Sequence, residues 1–296
     1  MSADALSQFL RTSAESLQYA AFFGALILFG LLELAVARRS AGPRRRRWTA
    51  SFSITVLNIM VLGAMGGAGL SLLLVADYAA STGRGLLNDP AIPAWAAFVL
   101  GLMVRSFASY LVHVANHKVP WMWRVHRLHH TDTEIDISTT ARFHPLEFVY
   151  STPIMLVIVL AFGIPPVAVI VFEIVDAAMA VFNHANIRLP AGVNRVLAWV
   201  LVTPDVHRVH HSILQKETDS NFGVTVTWWD RICGTYRARP TEELATMRLG
   251  LEECQDTRTT SLSWLLILPF IRLAPLSRER HGDMAVAASA EGAGAG

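Results

Sequence analysis

Long apolar runs alternate with short polar ones along this chain. Leu17 to Ala37 and Phe52 to Ala76 are each long enough to cross a hydrocarbon core of about 30 Å as a helix. A third run, from Ala91 to about His117, has Trp95 near its start and histidines at its far end. Tyr150 to Phe162 and Val167 to Phe182 are separated by Gly-Ile-Pro-Pro at 163–166, and the prolines forbid one continuous helix. The pattern predicts a helical hairpin there, its arms either crossing the membrane or re-entering it. Arg195 to Val202 is too short to span, and Leu262 to Leu276 is interrupted by Pro269 and Arg272, so both are expected along the membrane surface. The expected fold is all-α: a multi-span helical membrane protein. Residues 1–90 form an anchor region of two spans and a basic loop, 91–240 a histidine-bearing domain, and 241–296 a surface segment with a low-complexity, disordered tail from Ala285.

Composition agrees, with 53% hydrophobic and 16% charged residues. The first sixteen positions are polar, with Asp4, Arg11 and Glu15 among them, so the first apolar run reads as a retained anchor. Gly63 and Gly67 have the spacing that admits a closely packed neighbouring helix. A net charge of +2 leaves no broad basic field, and no nucleic-acid partner is expected. The basic residues concentrate in RRSAGPRRRR at 38–47, which the positive-inside rule puts in the cytoplasm. The third span and the hairpin then deliver residues 113–149 and 184 to that same side. Ten of the eleven histidines share this face and His281 does not, giving a cytosol-facing, histidine-rich helical cap on the cell membrane. Two cysteines make no disulfide framework.

The histidines carry the chemistry. His113 and His117 are four apart near the end of a helix, on one face. HRLHH at 126–130 presents His126, His129 and His130, and HRVHH at 207–211 presents His207, His210 and His211; each is expected to act as a three-ring half-site. Crowded ionisable rings at membrane depth are costly without a partner, so these eight are expected to bind metal. Neutral imidazole suits zinc, copper, iron and nickel, and no cysteine lies near. Eight rings exceed the four of a structural zinc, which points to two metals and leaves hydrolytic and oxidative chemistry both open. His184, in FNHAN, arrives beside the clusters as a further ligand. His144, in RFHPLE, either orients a ligand or water, or starts a helix. HExxH, Walker-type and GxGxxG motifs are absent, so a nucleotide or flavin site within the chain is unsupported, and electrons, if needed, must come from elsewhere.

Taken in order, HxxxH at 113–117, HRLHH, RFHPLE at 142–147, FNHAN at 182–186, TPDVHRVHHS at 203–212, ETDSNFG and WWDRICGTY resemble the fatty acid hydroxylase and sterol desaturase superfamily, over roughly Arg105 to Pro240. The resemblance implies a membrane enzyme with two iron ions held by His113, His117, His126, His129, His130, His207, His210 and His211, with His184 added. It further implies O2 as co-substrate, a fatty acyl or sterol lipid as substrate, and an external ferredoxin- or cytochrome b5-like electron donor with its reductase. Unactivated C–H bonds offer no handle to an acid or base, which agrees with redox metal chemistry; hydroxylation is expected, and desaturation shares its first step. The chain departs from the family at Ser106 and Val114, where many members carry Asp and Arg. Asp205 and Asn221 are the expected replacements that orient an imidazole, together with His144.

Other residues carry further expectations. Arg105 and Asp176 each lie eight residues before a site histidine, about 12 Å deeper on a helix, and are expected to pair across the bundle. Trp121, Trp123, Arg124 and Arg127 form an interfacial set suited to a lipid headgroup, while Trp228 and Trp229 pack the cap. The alternative is a zinc-dependent membrane hydrolase built on the same histidines, with Asp132, Glu134 and Asp136 as the nearest carboxylates. A metal transporter or sensor would need polar residues through its spans, and these carry few beyond Arg105, Glu173 and Asp176.

Overall fold

Backbone groups in hydrocarbon must be satisfied within their own segment, and the long apolar runs meet that demand as helices. A computed structural model describes residues 3–40, 42 and 44–273. The long helices are α1 (Ala3–Val36), α2 (Arg44–Gly67), α3 (Leu72–Thr82), α4 (Ala94–Lys118), α6 (Pro145–Phe162) and α7 (Pro166–His184), with the short α5 (Pro120–His126) between α4 and α6. The cap adds α8 (Ala191–Leu197), α9 (Pro204–His210), α10 (Gln215–Thr218), α11 (Trp228–Ile232) and α12 (Leu262–Ile267). Among the described residues strand pairing is confined to isolated bridges such as Ala37 with Ile187, so the fold is all-α. Five stretches are long and apolar enough to cross a membrane: Ala5–Val36, Arg44–Thr82, Ala94–Lys118, Pro145–Phe162 and Pro166–His184. This is an integral membrane protein, and both hairpin arms have full spanning length. The tail from Ala285 and His281 lie outside the described residues.

Three expectations about the spans change. The second apolar run does not continue unbroken to Ala76: it stops at Gly67 and restarts behind Ser71, whose hydroxyl caps Leu74 N–H. Glycines at 66, 67 and 69 favour the break, since glycine in a helix costs about 1 kcal/mol relative to alanine. A Cβ added at Gly63 or Gly67 would meet nothing within 4 Å, so among the described residues no helix packs closely on this spacing. Arg105, in turn, pairs with Glu173 at 2.7 Å and donates to Ser109 Oγ at 2.7 Å, while Asp176 Oδ1 is buried without a hydrogen-bond partner among the described residues. Glu173 has the extra methylene needed to reach across from α7 to α4.

The two ends of the bundle are built differently. At one end the α6–α7 turn nests against the loop after α3, and Gly85, at φ 92, lies so close that a Cβ there would fall 2.1 Å from Gly163 N. At the other end α1 and α2 hold the histidine-bearing segment. Glu33 of α1 accepts from Ile137 N–H at 2.9 Å and Asn186 N–H at 2.8 Å. Arg47 of α2, only 5% exposed, pairs with Asp132 at 3.0 Å and with Asp136, and Asn58 donates to Phe143 O at 2.8 Å. The basic loop is therefore part of the cap as well as a topological signal. The C-terminal segment also differs from a purely surface element: Leu265 and Leu268 are buried with Ala50, Ile54 and Leu128.

Removing one member of a buried ion pair leaves the other charge uncompensated. Arg47→Ala is expected to cost about 3–5 kcal/mol and to lower the thermal midpoint of the detergent-solubilised chain markedly. An unchanged midpoint would show that Arg47 does not hold the cap to α2.

Candidate metal centre

Nine histidines converge at the cap end of the bundle. The last turns of α4 carry His113 and His117, α5 ends on His126, and a single 3-10 turn from His129 to Thr131 presents His129 and His130. α7 ends on His184. α9 is set by Thr203, whose hydroxyl caps Val206 N–H, and by Pro204 at the first helical position; it carries His207 and His210, with His211 just beyond. All nine are buried.

They sort into two groups, His113, His117, His126, His130 and His210 in one and His129, His184, His207 and His211 in the other; within each, one ring nitrogen per residue lies within 4.8 Å of all the others. The expected three-ring half-sites are thus divided. Pairs four apart stay together, as 113 with 117, 126 with 130, and 207 with 211, because a helical turn puts them on one face. The histidine three along from the first of each motif crosses over: His129 joins the second group and His210 the first.

The ring nitrogens show what such a group can hold. On the outer side, Nδ1 of His113 donates to Phe222 O at 2.7 Å, His210 to Ser220 O at 2.7 Å, His184 to Ala180 O at 2.6 Å, and His126 to the Glu147 carboxylate at 3.0 and 3.1 Å. A neutral ring donating through Nδ1 keeps its lone pair on Nε2. Nε2 of His113, His126 and His210, and both nitrogens of His117 and His130, are buried without a hydrogen-bond partner among the described residues. In the second group Nε2 of His184 lies 3.1 Å from that of His129 and 3.0 Å from that of His207, which lies 3.2 Å from that of His211. Buried inward nitrogens left unpartnered, or with only one another for partners, are poorly satisfied, and a cation at each focus would remove the penalty. The residues therefore fit two metal ions held by imidazole alone, with four of the nine rings fixed by an outer acceptor. Burial pushes His129, His130, His207 and His211 well below the usual imidazole range, helped by neighbouring histidines, and lowers His210 to about 3. These rings are neutral at pH 7, the form that ligates.

The other expected residues stand apart from the two groups. His144 caps α6, accepting from Leu146 N–H at Nδ1 (3.1 Å) and donating from Nε2 to Leu266 O (3.1 Å), so it is a helix-start residue with neither nitrogen left over. Asp205 pairs with Arg38 at 2.5 Å and is not brought into either group. Asn221, at φ 54, works through the backbone: its side chain bonds Val206 O and both backbone groups of Arg237, setting the carbonyls on either side of it toward His210 and His113. Asp230 completes that loop by accepting from Phe222 N–H and Gly223 N–H, each at 2.8 Å. Ser106 accepts from Trp229 Nε1 at 2.9 Å, joining α4 to the cap. Arg124 and Arg127 do not face a headgroup; they donate to Pro269 O (2.7 Å) and Leu268 O (2.6 Å) of the C-terminal segment. Glu147 was not singled out from the sequence, although an acid opening an apolar helix three residues after His144 was the available signal.

Residues 98–235 match the family model described as fatty acid hydroxylase. An ornithine lipid hydroxylase of Rhizobium tropici is 29% identical over 142 residues, 48% of this chain and 42% of the relative. An alkylglycerol monooxygenase of Xenopus tropicalis is 32% identical over 130 residues, 44% and 28% of the two chains. A cholesterol 25-hydroxylase of Rattus norvegicus is 27% identical over 154 residues, 51% and 48%. The match spans less than half the length of each of these relatives. No solved structure matches the chain.

Because the groups are separate, His130→Ala and His129→Ala should each remove about one of about two metal ions per chain, measured by elemental analysis of purified protein; loss of both ions from either variant would mean a single coupled site. The metal-free chain should lose stability as pH falls. Unfolded imidazoles protonate near pH 6.5, whereas His129, His130, His207, His210 and His211 resist protonation when folded. The thermal midpoint is therefore expected to be flat above about pH 7 and to drop steadily between about 6.5 and 4; a flat profile through that window would exclude buried neutral rings.

Proposed function

Because this chain belongs to the fatty acid hydroxylase and sterol desaturase superfamily, we propose that it is a membrane-bound, non-haem di-iron oxygenase that hydroxylates a lipid with O2 and two electrons from an external donor. The observation that carries the reading is the convergence of nine buried histidines into groups of five and four, the inward nitrogens of the five unpartnered among the described residues and those of the four meeting only one another. All-imidazole donation without thiolate suits a redox-active first-row metal, and the only cysteines, Cys233 and Cys254, belong to neither group. Bound iron supplies the activation of dioxygen that an unactivated C–H bond requires. The overall change is RH + O2 + 2 e⁻ + 2 H⁺ → ROH + H2O.

The chain's own residues set the conditions. Phe222 O, Ser220 O, Ala180 O and the Glu147 carboxylate fix the tilt and tautomer of four rings. Asn116 donates to Glu147 at 2.9 Å and accepts from Tyr150 OH at 2.8 Å, which keeps that carboxylate aimed at His126. Burial keeps bulk water from the site, and α4, α6 and α7 give a lipid an apolar approach from the bilayer. Relatives named as hydroxylases and monooxygenases of lipids favour hydroxylation over desaturation. The electron donor is a ferredoxin- or cytochrome b5-like protein with its reductase. The histidines lie at the same end of the bundle as the basic loop that precedes α2, which supports an active site on the cytoplasmic face of the cell membrane.

A zinc hydrolase would need a free carboxylate, and two of the three expected nearby are engaged. Asp132 and Asp136 are paired with Arg47. Burial raises the Asp132 carboxyl, yet Arg47 and Arg142 outweigh it and hold the group below the usual carboxylate range.

The test is turnover of the iron-loaded chain under 18O2 with a chemical reductant, offered ornithine lipid, an alkylglycerol and cholesterol in turn. The expected product is a hydroxylated lipid carrying one 18O atom, absent with the His129→Ala, His130→Ala double variant. Stoichiometric zinc that persists when iron is supplied, with lipid cleavage and no 18O in product, would overturn the reading.

A further inference from the structure

The four consecutive arginines that open α2 are divided by helical spacing. Arg44 and Arg47, three apart, turn to the cap: Arg47 pairs with Asp132 and Asp136, and Arg44 lies 3.8 Å from Glu33 and 3.9 Å from Asp136. Arg45 and Arg46 face away, exposed, and among the described residues neither has a carboxylate partner. They line a cavity of about 410 Å³ with Thr49 and Ser53 of α2 and with Thr260 and Leu262 of the C-terminal segment. The cavity therefore offers two uncompensated guanidinium groups and the Ser53 hydroxyl, while the Thr49 and Thr260 hydroxyls donate to Arg45 O and Thr257 O, each at 2.8 Å. It also sits at the positive end of a 24-residue helix whose first turn holds no acid.

What lies along the same face of α2 identifies the occupant. Arg45, Thr49, Ser53, Val56 and Met60 follow one another at steps of four, four, three and four, a single stripe. Its upper part is cationic and hydroxylic. Its lower part is apolar and open, with Val56 58% and Met60 65% exposed at the depth of a membrane span. A free anion would use only the upper half, whereas a phospholipid matches both, with phosphate among the arginines and acyl chain along Val56 and Met60.

We propose that this cavity is a binding site for the phosphate headgroup of an anionic phospholipid, distinct from the histidine groups and independent of the reaction they perform. The lipid ties α2 to the C-terminal segment. That segment in turn rests on the histidine-bearing region, through Arg142 to Thr259 O (3.0 Å), His144 to Leu266 O (3.1 Å) and Arg127 to Leu268 O (2.6 Å). A bound headgroup thereby braces the cap from outside.

The experiment is thermal unfolding of the delipidated, detergent-solubilised full chain, with dioleoyl phosphatidylglycerol, dioleoyl phosphatidylcholine or sodium phosphate added. Phosphatidylglycerol is expected to raise the midpoint by about 4 °C or more at saturation, and phosphatidylcholine with the same chains by less than about 1 °C. The shift should vanish in R45Q/R46Q and return in R45K/R46K. Thr49→Trp, which fills the cavity while keeping both arginines, should abolish it as well, and this variant decides the matter if R45Q/R46Q does not fold. An equal shift with phosphatidylcholine, or one that survives Thr49→Trp, overturns the site. A shift of the same size with sodium phosphate at equal concentration overturns the assignment to a lipid.

Discussion

Neutral imidazole nitrogens, buried away from water and aimed at one another, are the constraint on which this structure depends. Each ring has been moved out of water, which favours the uncharged state; among the described residues the inward nitrogens of the first group have no hydrogen-bond partner and those of the second have only one another. A cation at the centre of each focus would relieve that penalty. Metal affinity and folding of the cap are accordingly linked: the ligands are poor neighbours for one another without the ions that would join them.

The crossover of His129 and His210 gives that constraint a structural consequence. If each pentapeptide served one metal, the two halves of the cap would be joined only by packing. Instead each motif contributes to both groups, so α5 with its following turn and α9 are interlocked through both centres, and α4 and α7 are each drawn in by their final histidines. The outer acceptors belong to yet other segments. Glu147 comes from the start of α6, Ala180 from α7, and Ser220 and Phe222 from a loop held by Asn221 and Asp230. A displacement of any of these elements would tilt a ring at one focus or the other.

The membrane anchor shares in this arrangement. Glu33 and Arg47 bind the segment 132–142 and Asn186 from the side of α1 and α2, so the spans fix the histidines in place as well as fixing the chain in the bilayer. The same ion pairs occupy Asp132 and Asp136, while Glu147 bonds His126 directly.

The all-α class, the spans and their order were legible in the chain because hydrocarbon forces each apolar run to satisfy its own backbone, a local demand that local sequence reveals. The gathering of the histidines at one end followed from counting spans, and pairs four apart declared their shared face. Pairings across the bundle were not legible. Arg105 meets Glu173 and not Asp176, and Arg124 and Arg127 meet carbonyls of the C-terminal segment, because side-chain reach and the approach of distant elements decide such contacts. The division of each histidine motif between two groups was hidden for the same reason. Spacing says which rings leave a helix on one side, and only the tertiary structure says which focus each of them meets.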